Sequence, residues 1–460
     1  MKSPASGDGY LNTYADALRY LYGLPSWQYW VTDREVVPPN LDRFRTLLKR
    51  LGSPHRAFQS AHITGTKGKG STSAMIASIL AQAGYRTGLY TSPHLHTFRE
   101  RIQVNGEMIS EAEVVELADW IRPTLEHTPG TTFEAITAIA FEHFRRRGVQ
   151  VAVLEVGLGG RFDATNVVRP LVSVITSIGM DHMNVLGNTL DRIAAEKAGI
   201  IKRGVPVVFT PQKDAAAAVL AERARQRRAR QVWVGWDWRW YPESHSPQGQ
   251  HFLAFSARGP RAGWPVPLAD LFIPLIGRHQ LDNATAAIAA VAELEPRGFP
   301  VSEDALRRGL AEVRWPARLE VMQSSPWLIV DSAHTVESVE AALATVQEIL
   351  GRAPDVVIFG ASADKDVAGM LRLIPPATRL VFAQARHERA MDVAELQRIA
   401  RALGRESAGI PSPRQALDHA LADVGQGGIV LALGSIFLAA AVREAWLERE
   451  GRPLPPKDPV

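Results

Sequence analysis

The 460-residue chain contains no cysteine, which excludes disulfides, thiolate nucleophiles and sulfur-held zinc, and suits a reducing cytoplasm. No stretch offers the ~18 uninterrupted apolar residues that a membrane span needs. The opening MKSPASGDGYLNTYADALRYLYGL has neither the apolar core nor the cleavage site of an export signal. A soluble, cytoplasmic protein without membrane contact is expected. Charge of one sign is also scarce, since 52 basic against 48 acidic residues leave a formal +4. The densest basic run, AERARQRRARQ at 221–231, reads as a solvated helix face, because the aromatic platforms and repeated basic loops of nucleic-acid binders are missing. No nucleic-acid partner is expected.

What is present is an alternation of short β-branched runs with longer helical patterns, the sequence form of βαβ units and a parallel sheet. Strands are predicted at Ala61–Thr64, Thr87–Thr91, Val151–Val156, Val172–Ile178 and Val205–Thr210, with a helix over Ser71–Ala83 that stops at Gly84. From Val232 the pattern changes: Val232, Val234, Trp236, Trp238 and Trp240 alternate as one face of one strand opening an antiparallel region. An alanine-rich helix follows, entered through Asp282 or Asn283. A domain boundary falls near Pro316. Beyond it strands are predicted at Trp327–Asp331, Asp355–Gly360, Arg379–Ala383 and Gly428–Leu433, an open α/β domain of about 140 residues, and the tail GRPLPPKDPV reads as loose.

The first chemistry lies in HITGTKGKGSTSAM at 62–75. This glycine-rich turn follows a predicted strand and precedes a predicted helix, the context of a phosphate cradle. Gly65, Gly68 and Gly70 let backbone N–H groups of the loop, Thr66 included, turn inward; Lys69 can reach terminal phosphates, and Ser71 or Thr72 can meet a magnesium ion. Two segments end strands at the same sheet edge, where open α/β folds bind ligands. YTSPHLHTFRERI brings Ser92 and His94, and LEVGLGGRFDATN brings Glu155, a carboxylate suited to a hard cation. SIGMDH adds Asp181 and His182, and AAEKAGIIK adds Lys197, which from residue chemistry alone is a surface or phosphate-pairing lysine.

Together HITGTKGKGST, YTSPHL with FRERI, TFEAITAIAF, LEVGLGGRFDATN, SIGMDH, AAEKAGIIK, GRHQLDN and WPARLE followed by VDSAHT resemble, in order and over nearly the whole chain, the folylpolyglutamate synthase and dihydrofolate synthase family of the Mur ligase superfamily. The resemblance implies an α/β, P-loop-containing N-terminal ATPase domain (1–316), with a mostly parallel sheet and a smaller antiparallel region, followed by a C-terminal Rossmann-like α/β domain (317–460). It implies a monomeric ATP-dependent ligase joining L-glutamate to the carboxylate of dihydropteroate or a reduced folate. Gly68, Lys69, Gly70 and Ser71 would hold ATP phosphates, with Asn283, Arg318, Asp331 and His334 at further nucleotide positions. Ser92 and Glu155 would bind one magnesium and His182 a second, and Lys197 matches a lysine carbamylated in this family. Pterin contacts are expected from Phe98, Arg99, Arg101 and Phe133, glutamate contacts from Ser435 and Asp364 to Asp366.

The chain departs from the commonest bacterial pattern at four places: Lys67 stands where asparagine is frequent, Ala317 where glycine is usual, and Ser332 and Thr335 where the family writes D-G-A-H-N. The rivals are another Mur-type ligase acting on a cell-wall nucleotide precursor, against which YTSPHL, FRERI and LGGRFDATN argue, and a nucleotide-binding regulator without catalysis.

Overall fold

The computed structural model describes residues 11–25, 41–260 and 263–459. Its first sheet has eight strands: β1 (Gln59–Thr64), β2 (Thr87–Tyr90), β3 (Ile102–Val104), β4 (Glu107–Met108), β5 (Val151–Glu155), β6 (Val172–Ile175), β7 (Val207–Phe209) and β8 (Gln231–Trp233), in the order β4-β3-β2-β5-β1-β6-β7-β8. All pairs are parallel except β2 with β3 and β3 with β4. Helices cover both faces, so β5 and β6 are buried at every residue, which is why they read as unbroken apolar runs. The chain leaves β1 toward β2 on one side and continues from β6 to β7 on the other. The C-terminal ends of β1, β5 and β6 thus lie at the crevice where such folds bind ligands.

Beside this sheet packs an antiparallel one, β9 (Trp238–Ser246), β10 (Gly249–Ser256) and β11 (Leu268–Ile273). The alanine-rich helix Arg278–Leu294 runs in the same buried cluster as β10, β11 and the helix Lys69–Gln82, its small side chains allowing close approach. A second parallel sheet follows: β12 (Glu320–Ser324), β13 (Trp327–Val330), β14 (Val356–Phe359), β15 (Arg379–Phe382), β16 (Ser407–Gly409) and β17 (Ile429–Leu433), in the order β12-β13-β17-β14-β15-β16, with β12 alone antiparallel. No helix among the described residues is long and apolar enough to cross a membrane.

Every predicted strand of the two parallel sheets occurs. The expected strand Val172–Ile178 stops at Ile175 because the following backbone bonds to the phosphate loop instead: the carbonyl of Ser177 accepts from the N–H groups of Thr66 and Lys67. The single aromatic strand from Val232 is in fact two strands in two sheets. Gly235, at φ +96°, and Asp237, whose carboxylate accepts from Trp233 N at 2.8 Å, turn the chain between β8 and β9, and Trp236 is left 73% exposed. The helix expected to start at Asp282 or Asn283 starts at Arg278, after Gly277; Asp282 lies inside it and accepts from Trp240 Nε1 at 2.8 Å. The tail is docked, not loose. Asp458 accepts from the Tyr14 hydroxyl and Thr97 Oγ1, both at 2.7 Å, and from Phe98 N at 2.9 Å.

The helix Lys69–Gln82 carries the phosphate loop on its N-terminus, and helix Glu303–Ala311 rests on it through Gly309. A Cβ at Gly309 would stand 2.3 Å from Ile79 Cα, a backbone atom that cannot turn away. Gly309→Ala is therefore expected to cost about 1–3 kcal/mol as overpacking, read as a lower urea midpoint with an unchanged slope; an unchanged midpoint contradicts this packing.

Candidate functional site

The loop after β1 meets its neighbours with bare backbone at its two tightest points. Gly65 (φ +152°) has no room for a side chain, since a Cβ would meet Thr176 Oγ1 at 1.9 Å; at Gly68 (φ +84°) it would meet Asn283 Oδ1 at 2.3 Å. Thr66 Oγ1 donates to the Gly179 carbonyl at 3.2 Å, tying the loop to the segment after β6. Gly68 caps the 14-residue helix Lys69–Gln82, whose first-turn N–H groups and dipole favour an anion. Lys69 sits at its first position with its ammonium 3.4 Å from the Thr66 carbonyl. Ser71 and Thr72 are buried behind it, and the hydroxyls of Thr72 and Ser73 have no hydrogen-bond partner among the described residues.

Three strand ends add the acidic and basic groups. Glu155 closes β5 opposite Ile63 of β1, is 4% exposed, and accepts from Ser92 N at 3.2 Å. Burial raises its pKa, and the charges of Lys69, Arg318 and Arg101 act the other way. Such a carboxylate, poorly solvated yet facing cations, gains by meeting a hard cation. Lys197, at the end of helix Leu190–Lys197, is equally buried and donates to the Gly65 carbonyl at 2.8 Å. Burial, then Lys69, holds its ammonium well below the usual lysine range. His182 follows Asp181 with its backbone in the left-handed region (φ 51°) and its side chain half exposed. One crevice is lined by Lys69, Gly157, Gly159, Asp181, His182 and Lys197 together. Among the described residues no three His, Asp or Glu side chains converge as a ready metal cage, so a cation here would need hydroxyl or ligand oxygens as well.

The expected pterin contacts divide. Phe133 stands over Gly157, where a Cβ would lie 2.5 Å from its ring, and so flanks Glu155. Arg101 donates to His94 Nδ1 at 3.0 Å, beside the docked Asp458. Phe98 and Arg99 are not brought to the crevice. Phe98 is fully buried in the core, and Arg99 donates to the Ile109 carbonyl at 2.7 Å and pairs with Glu111, because the short 3-10 turn they share packs Phe98 inward and turns Arg99 to the strand-end backbone.

The second sheet faces the same crevice. Asp331, just past β13, accepts from Leu319 N and Ala333 N, at 2.8 and 2.7 Å. Burial raises the pKa of Asp331, as it does that of Glu155, and the charge of Arg318 acts the other way on both. His334 donates from Nδ1 to the Ser332 carbonyl at 2.8 Å, leaving Nε2 free to accept; burial and the charge of Lys67 push its pKa down to about 3. Ser435 caps helix Ile436–Arg449 and lines a separate pocket with Ser362, Gln384 and Phe437 at the C-terminal ends of β14, β15 and β17. Asp364 and Asp366 do not join that pocket: Asp366 caps helix Val367–Leu373 and Asp364 pairs with Lys365. Thr335 caps helix Val336–Leu350 in a capping box with Ser338, as asparagine also could.

Sequence reading missed Asp163 and the place of Lys365, which falls in the stretch Asp364 to Asp366 expected at glutamate. Asp163 is buried and its carboxylate accepts from the N–H groups of Gly157, Leu158 and Thr165, shaping the loop after Glu155; the D-x-T spacing of DATN is the local signal of such a turn. Lys365 comes from the second sheet to Asp181 at 3.3 Å, and nothing local foretells that.

Ala317 is buried at φ +54°, a conformation in which a Cβ costs ~1–2 kcal/mol, offset in glycine by ~0.5–1 kcal/mol of backbone entropy. Ala317→Gly is expected to raise unfolding free energy by up to ~1 kcal/mol, measured by urea unfolding; a loss of that size contradicts the strain.

Comparison with known proteins agrees with this geometry. The Mur ligase middle domain matches residues 63–291, and the Mur ligase glutamate ligase domain matches 317–436. The chain is 36% identical to a dihydrofolate synthase/folylpolyglutamate synthase of Bacillus subtilis over 89% of its own length and 95% of the relative's. Escherichia coli FolC in complex with DHPP and ADP superposes with a TM-score of 0.82 at 30% identity, covering 95% of this chain and 99% of that one. An FPGS–AMPPCP–folate complex superposes at 0.80 and 34% identity, covering 95% and 100%. A loop that only glycine can form, a buried carboxylate and lysine behind it, and this match along both sheets lead to one assignment: the chain belongs to the folylpolyglutamate synthase/dihydrofolate synthase family of Mur ligases, ATP-dependent enzymes that join L-glutamate to a folate carboxylate.

Proposed function

We propose that this protein forms an amide between L-glutamate and the carboxylate of dihydropteroate or a reduced folate, at the cost of ATP. The observation that carries the reading is the convergence of Lys69, Asp181, His182 and Lys197 in one crevice at the glycine loop, with the buried Glu155 near enough to feel the charge of Lys69. It is supported by relatives named for this activity and by the folate, DHPP and nucleotide complexes of superposable structures. A cell-wall nucleotide substrate has no such support.

A carboxylate is a poor acyl donor because its leaving group would be oxide; phosphorylation supplies a stable one. The loop N–H groups and Lys69 hold the terminal phosphate, and Lys69 stabilises the charge that develops as the phosphoryl group moves. Ser71, Ser92 and Glu155 would hold one magnesium and His182 with Lys197 a second, the ions supplying charge neutralisation of the phosphates when bound. The raised pKa of Glu155 and the unpartnered hydroxyl of Thr72 suit such an ion. Lys197 as a buried, readily neutral amine suits addition to CO2, which gives a carbamate and releases one proton. Ser92, Phe133, His94 and Arg101 receive the pterin-bearing substrate. Glutamate is held by the second unit near Ser435, and its free amine attacks the acyl carbon while phosphate departs. The chain works as two units meeting after Pro316, with Asn283, Arg318, Asp331 and His334 around the nucleotide, as a cytoplasmic monomer.

Incubation with ATP, magnesium, glutamate and either dihydropteroate or tetrahydrofolate, with products weighed, tests this. One added glutamate on dihydropteroate marks synthase activity and a ladder on tetrahydrofolate marks polyglutamylation; ADP and glutamyl product absent with every pterin refutes the reading. Glu155→Gln should lower turnover by about 10²–10³-fold, the loss of one preorganised electrostatic group. Under 13C-labelled CO2, a carbamate carbon signal that disappears in Lys197→Met is expected; identical spectra contradict carbamylation.

A further inference from the structure

Lys67 is the phosphate-loop residue that the chemistry above leaves unused. It does not point at the crevice floor as Lys69 does. Its ammonium lies 3.3 Å from Asp181 Oδ2 and 3.5 Å from His334 Nε2. Lys365 reaches the other oxygen of the same carboxylate, Asp181 Oδ1, at 3.3 Å. Asp181 belongs to the segment after β6, whereas His334 and Lys365 follow β13 and β14 of the second sheet. The side chain of Asp181 is 10% exposed, and those of Lys67 and Lys365 are 29% and 17% exposed, so the cluster is shielded from solvent. The His334 ring donates from Nδ1 to Ser332, so Nε2 offers its lone pair to Lys67.

Two ammonium groups thus share the Asp181 carboxylate and a neutral imidazole, Lys365 pairing with Asp364 as well at 3.6 Å, and Lys69 stands two residues from Lys67. With Lys69 counted, three ammonium groups stand against the carboxylates of Asp181 and Asp364, a surplus of positive charge on the wall of the crevice that Lys69 and Asp181 line. An anion seated on the loop offsets that surplus, and every group that gains is attached to one unit or the other. Binding a polyphosphate and seating the second unit on the first therefore draw on the same charges.

We propose that Lys67 is a positioning residue that couples nucleotide on the phosphate loop to the seating of the C-terminal unit, through Asp181 with Lys365 and directly through His334. The proposal rests on the nucleotide reading above, and its test separates the two. AMPPCP binding with magnesium is measured by calorimetry on the full chain for wild type, Lys67→Asn, Lys365→Gln and the double variant, with Lys67→Arg as a charge-preserving control. Each single change is expected to weaken binding about 5- to 20-fold, and the double variant to lose at least about fivefold less than the product of the two. Lys67→Arg should recover most of the loss. Hydrogen exchange supplies a readout that a purely local role would not move. In wild type AMPPCP should slow exchange at 332–335 and 361–366 as well as at 65–72, and in Lys67→Asn protection should persist at 65–72 but be lost from the other two segments. Multiplying losses with full protection of 332–335 in Lys67→Asn overturn the coupling. Absence of AMPPCP binding by wild type refutes the nucleotide reading itself.

Discussion

The structure depends on how closely three elements press on the backbone between Thr64 and Ser71. Thr176 stands against Gly65, Asn283 against Gly68 and Trp315 against Gly70, each within a distance that leaves no room for a side chain. Those contacts come from the segment after β6, the alanine-rich helix and the linker before the second sheet. The loop is therefore a junction as well as a cradle. Its shape, and with it the direction of its N–H groups, is set by parts of the chain more than a hundred residues away.

Around that junction the charges are arranged against their own solvation. Glu155 and Lys197 are both buried beside the loop, one with its pKa raised and the other with it lowered, both chiefly by burial. Neither forms an ion pair with the other, and their hydrogen bonds go to backbone, Glu155 to Ser92 N and Lys197 to the Gly65 carbonyl. Groups held in this way are poorly satisfied by the protein alone and gain from ligands that bring phosphate and metal charge. Asp181 is the counterexample: its pKa is lowered by Lys67, His182 and Lys365 despite its burial, as suits a structural bridge.

Much of this was legible in the sequence, for reasons that differ by element. Buried parallel strands such as VAVLE and IVLAL are continuous apolar runs, and the loop glycines sit between a strand and a helix, so both signals are local. The β3–β4 hairpin and β16 have two or three residues each, too few for a period to show. The aromatic alternation around Trp236 misled because Gly235 and Asp237 turn the chain without breaking it. Phe98 and Arg99, expected as loop contacts to the pterin, turn elsewhere because the direction of a side chain in a short turn depends on its surroundings. The contacts of Asp458 and Lys365 have no local signal, since their partners Thr97 and Asp181 lie 361 and 184 residues away in sequence.

The central claim is chemical: the crevice turns a substrate carboxylate into an acyl phosphate before glutamate attacks. Dihydropteroate labelled with 18O in its carboxylate, turned over with ATP, magnesium and glutamate, tests this in one measurement of the released inorganic phosphate by mass spectrometry. The account predicts one 18O atom transferred to each phosphate released, with the other retained in the new amide carbonyl. Product formed with unlabelled phosphate would contradict it.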